Sequence, residues 1–532
     1  MPKSATAGRR RRAGLLVPLF SLTSTRSWGI GEIGDLVPMC HWLRGAGFDM
    51  LQILPVNEMA PGQNSPYSAM TAMAIDPIYI SVWAMDDFEA LGGEASLASD
   101  LAERLEAARR APRIDYAHVR QLKEAVLAAA FDRFHDEELA RETERASEFR
   151  TFVAQQAWWL EDYALFRAVH GQAGGQPWWE WDEGIRTHQL EAIAAVRRAR
   201  ARDVLYRQYL QWVADSQWHA VQREAHPVGI VGDLPFMVGS DSADVWARQN
   251  AFRLDATIGV PPDAFSDTGQ DWGLPAYRWD VIAADGYEWI TQRARRNADL
   301  YSAYRIDHLV GLYRTYCIPV DGSARYFVPE EEAEQTAQGE TLLGIFGSAG
   351  ASIIAEDLGT VPDFVRESLA RLGVPGYRVL RWEREWHVPG HPYRDPLLYP
   401  AASVATSGTH DTDPLVTWWE EAPEEERAAV AAISVLAPLG LDPTRAECTP
   451  EIRDALLEVL FASGSDLLLL PVQDIFGWSD RVNTPATVSD TNWTWRFPWP
   501  VDRLNDIDVA RERQATLHTW SHRFGRTPAF AP

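Results

Sequence analysis

Short apolar, β-branched runs recur along the chain, and several of them close on a cluster of polar residues. They read LLVPLFSL (15–22), MLQILPVNE (50–58), GIVGDLPF (229–236), AYRIDHL (303–309), SIIAEDLG (352–359), GYRVLRWE (376–383), SVATSGTHDTD (403–413) and DLLLLPVQDIFG (466–477). Near-continuous apolar runs are what strands covered on both faces require, and most of the intervals between them can hold a helix. Eight such units predict an α/β protein built as a (β/α)8 TIM barrel, with the active site at the C-terminal ends of the strands. The polar residues at the ends of the runs fit that placement. A doubly wound open sheet is the competing architecture for the same pattern.

The barrel alone needs about 250 residues, whereas the chain has 532, so large insertions are expected. The longest interval, 85–225, is rich in Ala, Glu, Arg and Leu, with helical periodicity and oppositely charged residues four apart. It is read as a mainly helical inserted subdomain, following the first barrel strands in 1–84. The rest of the barrel falls in 226–532, with a further insertion at about 239–300. Residues 418–463 also read as mainly helical. At the N-terminus, residues 15–22 are expected to form the first strand and residues 9–12 a solvated basic tail.

Charge narrows the partners. The net charge is −25 and the isoelectric point about 4.9, so nucleic acid and anionic membrane are excluded as natural partners. No apolar run approaches the length of a membrane span. Three cysteines, Cys40, Cys317 and Cys448, have neither disulfide-framework nor metal spacing, which suits a reducing, cytoplasmic compartment. The 23 tryptophans include enough aromatic surface for sugar rings, although core filling uses the same residues.

Candidate chemistry lies in three run ends that carry Asp307, Glu356 and Asp411. Retaining chemistry at a glycosidic bond needs two carboxyl groups about 5–5.5 Å apart, one ionised to attack and one protonated to release the leaving group. Arg305 stands two residues before Asp307, on the same face of a strand. A guanidinium there favours an ionised, oriented carboxylate. Glu356, with carboxylates for neighbours, is expected to hold its proton toward neutral pH. Glu356 and Asp357 are adjacent, so only one can face a substrate. A structural ion pair, a solvated strand end and a simple turn explain the same three segments without catalysis. Metal binding through His410, Asp411 and Asp413 is a further alternative.

Seven segments, in order, resemble the amylomaltases, or 4-α-glucanotransferases (disproportionating enzymes), relatives of the α-amylases. They are NSPYSAMTAMAIDP (64–77), GDLPFMVGSDSADVWAR (232–248), GVPPDAFSDTGQDWGLPAYRW (259–279), YRIDHLVG (304–311), AEDLG (355–359), GTHDTD (408–413) and RVNTPATVSDTNWTWR (481–496). The resemblance implies a cofactor-free, metal-free retaining transferase acting on maltooligosaccharides and α-1,4-glucans. It implies Asp307 as nucleophile, Glu356 as acid/base and Asp411 as transition-state stabiliser. Arg305, His410 and Asp233 resemble further site residues of the family. Tyr67, Trp272 and Asn483 look like substrate contacts, and Ser65, Asp263, Gln270 and His308 are weaker matches. Thr412-Asp413-Pro414 departs from the family's more usual Asn-Asp-Thr, and no glycine follows Asn483-Thr484-Pro485. An α-amylase-like hydrolase, or a non-catalytic glucan-binding protein, is compatible with many of the same residues.

Overall fold

The computed structural model describes residues 10–262, 269–485 and 487–528. Eight parallel strands form a closed barrel. They are β1 (Arg12–Leu16), β2 (Met50–Gln52), β3 (Gly229–Leu234), β6 (Ala303–Ile306), β9 (Ser352–Ala355), β10 (Gly376–Val379), β11 (Ser403–Thr406) and β12 (Leu467–Pro471). Each lies in or overlaps one of the eight apolar runs. Neighbours follow chain order, and β12 pairs with β1 to close the ring. Inside, Met50, Val231, Ala303, Ile354, Tyr377, Val379, Val404 and Leu469 pack together, one or two from each strand except β1. Gly14 on β1 explains that exception. A Cβ there would lie 2.6 Å from Met50 Cβ, so the strand carries no side chain at the point of closest approach.

The strands are shorter than the runs, because the polar residues at their ends belong to loops. The first strand begins earlier than expected. It starts at Arg12, and residues 19–21 form a 3₁₀ turn instead. Arg10 is exposed, but Arg11 and Arg12 are not part of a solvated tail. Arg12 Nε lies 3.0 Å from Asp49 Oδ2, and Arg11 donates to the carbonyls of Phe461, Ser463 and Phe524. Long cationic side chains here close the bottom of the barrel by capping backbone oxygens.

Between β2 and β3 the chain is helical, and the helices brace one loop of the barrel. Tyr116–Arg133 starts on Asp115, whose carboxylate accepts the His118 N–H at 2.9 Å, a side-chain N-cap. Its Lys123 is buried and pairs with buried Glu32 at 2.7 Å. From Ala157–Gln172, Tyr163 and Arg167 both hold Glu58, at 2.6 and 3.0 Å. From Ala201–Ala225, the Gln211 amide pairs with both backbone groups of Ile75, at 3.0 and 2.8 Å. Glu58 and Ile75 flank the loop that carries Tyr67.

A four-stranded antiparallel sheet lies outside the barrel, in the order β5-β4-β7-β8. Its strands are β4 (Phe252–Val260), β5 (Gln270–Tyr277), β7 (Thr315–Pro319) and β8 (Tyr326–Val328). It falls in the interval expected to be an insertion at about 239–300 and in the loop after β6, where no run has the continuous apolar character of a barrel strand. It brings Gln270 and Trp272 beside the end of β6.

Candidate active site

Asp307 is the first residue past β6, and its N–H donates to Leu234 O at 3.0 Å. Arg305, two residues earlier, points the same way, as period-two alternation requires. Its Nη1 lies 2.8 Å from Asp307 Oδ1 and 2.9 and 2.8 Å from the two carboxylate oxygens of Asp233, at the end of β3. One guanidinium therefore bridges two carboxylates. Burial opposes the charge on Arg305, but Asp233 and Asp307 outweigh it and make the guanidinium harder to deprotonate than usual.

The next strand end supplies Glu356. Its Oε2 accepts the His308 N–H at 2.9 Å and its Oε1 the Leu358 N–H at 3.1 Å. His308 reaches that position with a φ of 45°, in the left-handed region that non-glycine residues seldom adopt. The neighbour of Asp307 is thus bonded to Glu356, which sets these two acids side by side. Burial pushes the Glu356 carboxyl up to about 7, opposed by Arg305 and assisted by Asp307 and Asp357. The cause is chiefly desolvation, not the neighbouring charges that the sequence suggested. Asp357 turns away as expected. It accepts the Tyr377 N–H at 2.7 Å and lies near Arg366 and Arg378.

Asp411 sits in the loop after β11. Asn483 Nδ2 donates to its Oδ1 at 2.6 Å, and His410 Nε2 lies 3.3 Å from its Oδ2. Burial works against the charge on Asp411, yet His410, Asn483 and Arg305 outweigh it and hold the carboxyl far below the usual range. Burial also pulls the His410 imidazole down, and Asp411 more than reverses this, leaving it raised. Asp413, the third residue of the metal alternative, is engaged by Arg481.

Tyr67 joins the groups. Its hydroxyl donates to Asp233 Oδ2 at 2.9 Å and lies 3.1 Å from His410 Nε2, while its ring stacks on His410 with centroids 5.5 Å apart. The site is thus built from the ends of β3, β6, β9 and β11 and the loops after β2 and β12. On the far side, Trp272 meets His308 edge-on at 4.7 Å and donates to Gln270 at 3.2 Å. Gln270, Trp272, His308 and Leu358 line a cavity of about 170 Å³. Burial lowers the His308 imidazole to about 4, so its ring is neutral there.

Of the expected site residues, Asp307, Glu356, Asp411, Arg305, His410, Asp233, Tyr67 and Asn483 are linked by these contacts. Trp272, Gln270 and His308 form the adjoining cavity. Ser65 braces the turn that carries Tyr67: its Oγ and carbonyl accept the N–H groups of Tyr67 and Ser68. Asp263 lies outside the described residues. Two participants escaped the sequence reading. Trp493 packs 5.9 Å from both Tyr67 and His410. Arg481 donates to Asp411 O at 2.8 Å and Asn483 O at 3.1 Å, tying two loops together. Both lie inside the quoted segment 481–496, but only the folded loop shows what they reach.

A family model described as 4-alpha-glucanotransferase matches residues 17–502. The 4-alpha-glucanotransferase of Chlamydia pneumoniae is 31% identical over 513 residues, covering 93% of each chain. That of Thermus thermophilus is 33% identical over 509 residues, covering 92% of this chain and 95% of its own. Among solved structures, an amylomaltase from Streptococcus agalactiae in complex with acarbose is 26% identical. It superposes with a TM-score of 0.80 over 98% of this chain and all of that one.

Proposed function

The chain belongs to the 4-alpha-glucanotransferase family, and from that premise we propose how its residues move an α-1,4-glucan segment between maltooligosaccharides. Asp307 is the nucleophile. Arg305 engages its Oδ1, and Oδ2 attacks the anomeric carbon of the donor. The bond from that carbon to the leaving oxygen breaks as Glu356 gives its proton to that oxygen. A covalent glycosyl-enzyme remains. The 4-hydroxyl of an acceptor sugar then gives its proton to Glu356 and its oxygen to the anomeric carbon, releasing Asp307. Two inversions retain the configuration.

Asp411 and His410 bind hydroxyls of the distorted sugar at the reacting centre, where preorganised charge favours the oxocarbenium-like transition state. Asn483 fixes the Asp411 carboxylate, and Asp233 and Tyr67 complete the wall. Trp272, Gln270 and His308 take the acceptor side, next to Glu356. The enzyme needs neither metal nor cofactor for these steps. Its place is in cytoplasmic glycogen and maltodextrin metabolism, which agrees with three unpaired cysteines; among the described residues no helix is long and apolar enough to cross a membrane.

One observation carries this reading: adjacent carboxyls in opposite environments. Asp307 is held by a buried guanidinium, and Glu356 is pushed up to about 7. That is the division of labour an attacking base and a proton donor require.

The test is incubation of pure enzyme with maltotriose alone. Transfer yields glucose together with maltopentaose and longer chains, while the number of reducing ends stays constant. Positioning of a bound acceptor, at effective molarities of about 10⁵ M or more, lets sugar outcompete water. A steady rise in reducing ends without longer products would make the enzyme a hydrolase with the same carboxylates. An unchanged sugar profile from folded protein would favour a glucan-binding protein.

A further inference from the structure

A groove of about 670 Å³ opens on the catalytic face between the loop after β1 and the loop after β12. That volume lies within the ~300–1,000 Å³ typical of small-molecule sites. None of the residues assigned above to catalysis or substrate contact lines it. One wall is aromatic. Trp478 stacks on Phe476, with centroids 4.5 Å apart and planes 12° apart, and Trp499 crosses it at 5.3 Å. Both indoles are half-buried, whereas Trp495 and Phe497 behind them are buried. The lining also carries polar groups, among them Thr23, Ser24, Arg113 and Asp480.

We propose that this groove binds a second stretch of α-1,4-glucan, outside the reacting centre. The proposal rests on the glucanotransferase reading of the catalytic site. Three observations carry it. First, the half-buried indoles offer flat apolar surface of the kind that sits against the C–H face of a pyranose, and the hydroxyl, guanidinium and carboxylate groups in the same lining suit sugar hydroxyls.

Second, the charges disfavour an anion. Glu94 and Glu106 neutralise Arg109 at 2.6 and 3.1 Å. Arg496 is committed to the carbonyls of Ala108 and Ala111, at 3.0 and 2.6 Å, around the end of helix Ser99–Arg110. The remaining charged residues of the lining, Arg113 and Asp480, are of opposite sign, and Arg113 Nη1 lies 3.4 Å from both Thr491 O and Thr494 Oγ1. A neutral polyol is the occupant that fits this lining.

Third, one segment of chain borders both the groove and the catalytic group. The chain that forms its aromatic wall, 478–499, also delivers Asn483 to Asp411 and Trp493 to Tyr67 and His410. Trp493 and Trp495 are two residues apart, one on the catalytic side and one on the groove side. Between them Thr494 O accepts the Ile114 N–H at 2.9 Å, next to Arg113. A long chain reacting at Asp307 lies close enough to this wall for a distant part of the same glucan class to rest there.

The experiment compares initial rates on maltotriose and on long-chain amylose for wild type, Trp499→Ala and Arg113→Ala. Retardation in an amylose-containing gel reads binding independently of turnover. We expect the KM for amylose to rise by about threefold to tenfold in Trp499→Ala, the range that loss of an aromatic contact supports, and to a smaller extent in Arg113→Ala. Gel retardation should weaken in parallel, while kcat and the maltotriose KM stay at wild-type values. Arg113 is exposed and outside the aromatic cluster, so its variant decides the matter if Trp499→Ala unfolds. Unchanged amylose KM and retardation in the folded variants would overturn the proposal. So would an equal rise in KM for both substrates, which would place these residues in the reacting centre. A wild type that lengthens no maltotriose would defeat the glucanotransferase reading instead, and the gel would still decide whether the groove holds glucan.

Discussion

Arg305 faces Asp233 and Asp307 at once, so its removal strands two anions, one of them fully buried. Breaking a buried pair in this way costs about 3–5 kcal/mol. Urea unfolding of Arg305→Met should show a loss of that size, partly recovered when Asp233→Asn is added. The acids themselves behave differently. Asp307→Asn and Glu356→Gln should each lower kcat/KM on maltotriose by roughly three orders of magnitude or more, because groups that act as a unit fail together; circular dichroism should show both variants folded. Glu356 also leaves a mark on stability. Its carboxyl stands at about 7 in the folded chain against an ordinary 4.5, so the folded state keeps a proton that the unfolded chain releases. Stability from this group is present at low pH and is lost as pH rises from 4.5 to about 7. Unfolding titrations should therefore show Glu356→Gln gaining stability relative to wild type across that window and levelling off above it. The acids were legible in the sequence because each ends an apolar run, where a barrel places chemistry. Arg305 was legible as the partner of Asp307 from its spacing of two. Its second partner, Asp233, stands on a different strand, and only the β3–β6 pairing brings the two together. Trp493 was not legible: its φ of 64° and its approach to Tyr67 depend on how residues 481–494 fold back on themselves.

At the scale of elements, all eight runs became barrel strands, since a buried parallel strand needs an apolar run and little else. Their boundaries were less legible. β1 extends back to Arg12, where a charged residue survives because Asp49 meets it. The sheet formed by β4, β5, β7 and β8 was invisible for a different reason: β4 alternates apolar with polar residues and is only partly buried, and β5 opens on polar, exposed residues, so neither reads as a continuous apolar run. Loops are the elements on which the site depends most. Arg481 clamps the loop after β11 to the loop after β12, through Asp413, the carbonyl of Asp411 and the carbonyl of Asn483. Arg481→Ala should leave the barrel intact, with a melting temperature close to wild type. Its kcat should fall by about 10²-fold, the size of effect that a misplacement of about 1 Å produces. Arg481→Lys keeps the charge but cannot reach three oxygens at once, so it should recover only part of that loss.

For the whole molecule, the feature with the widest reach is the seam between β1 and β12. The first and last barrel strands lie side by side, with Leu15 opposite Leu470. During synthesis, β1 therefore waits for almost the entire chain before it acquires one of its two neighbours. β2 and β3 meet only after the long helical interval between them has been made. Pairings between such distant segments are slow to form, and an unfinished ring leaves two open strand edges exposed. A chain truncated at residue 460 keeps β1 and β11 as bare edges and loses Asn483 with them. It should appear in the insoluble fraction on expression, and supplying residues 461–532 as a separate polypeptide during refolding should return soluble protein. Birth on the ribosome is thus the most hazardous stage in the life of this protein. Until β12 emerges, a barrel that later closes without an edge stands open on both sides, and a holding chaperone is the companion such a nascent chain requires.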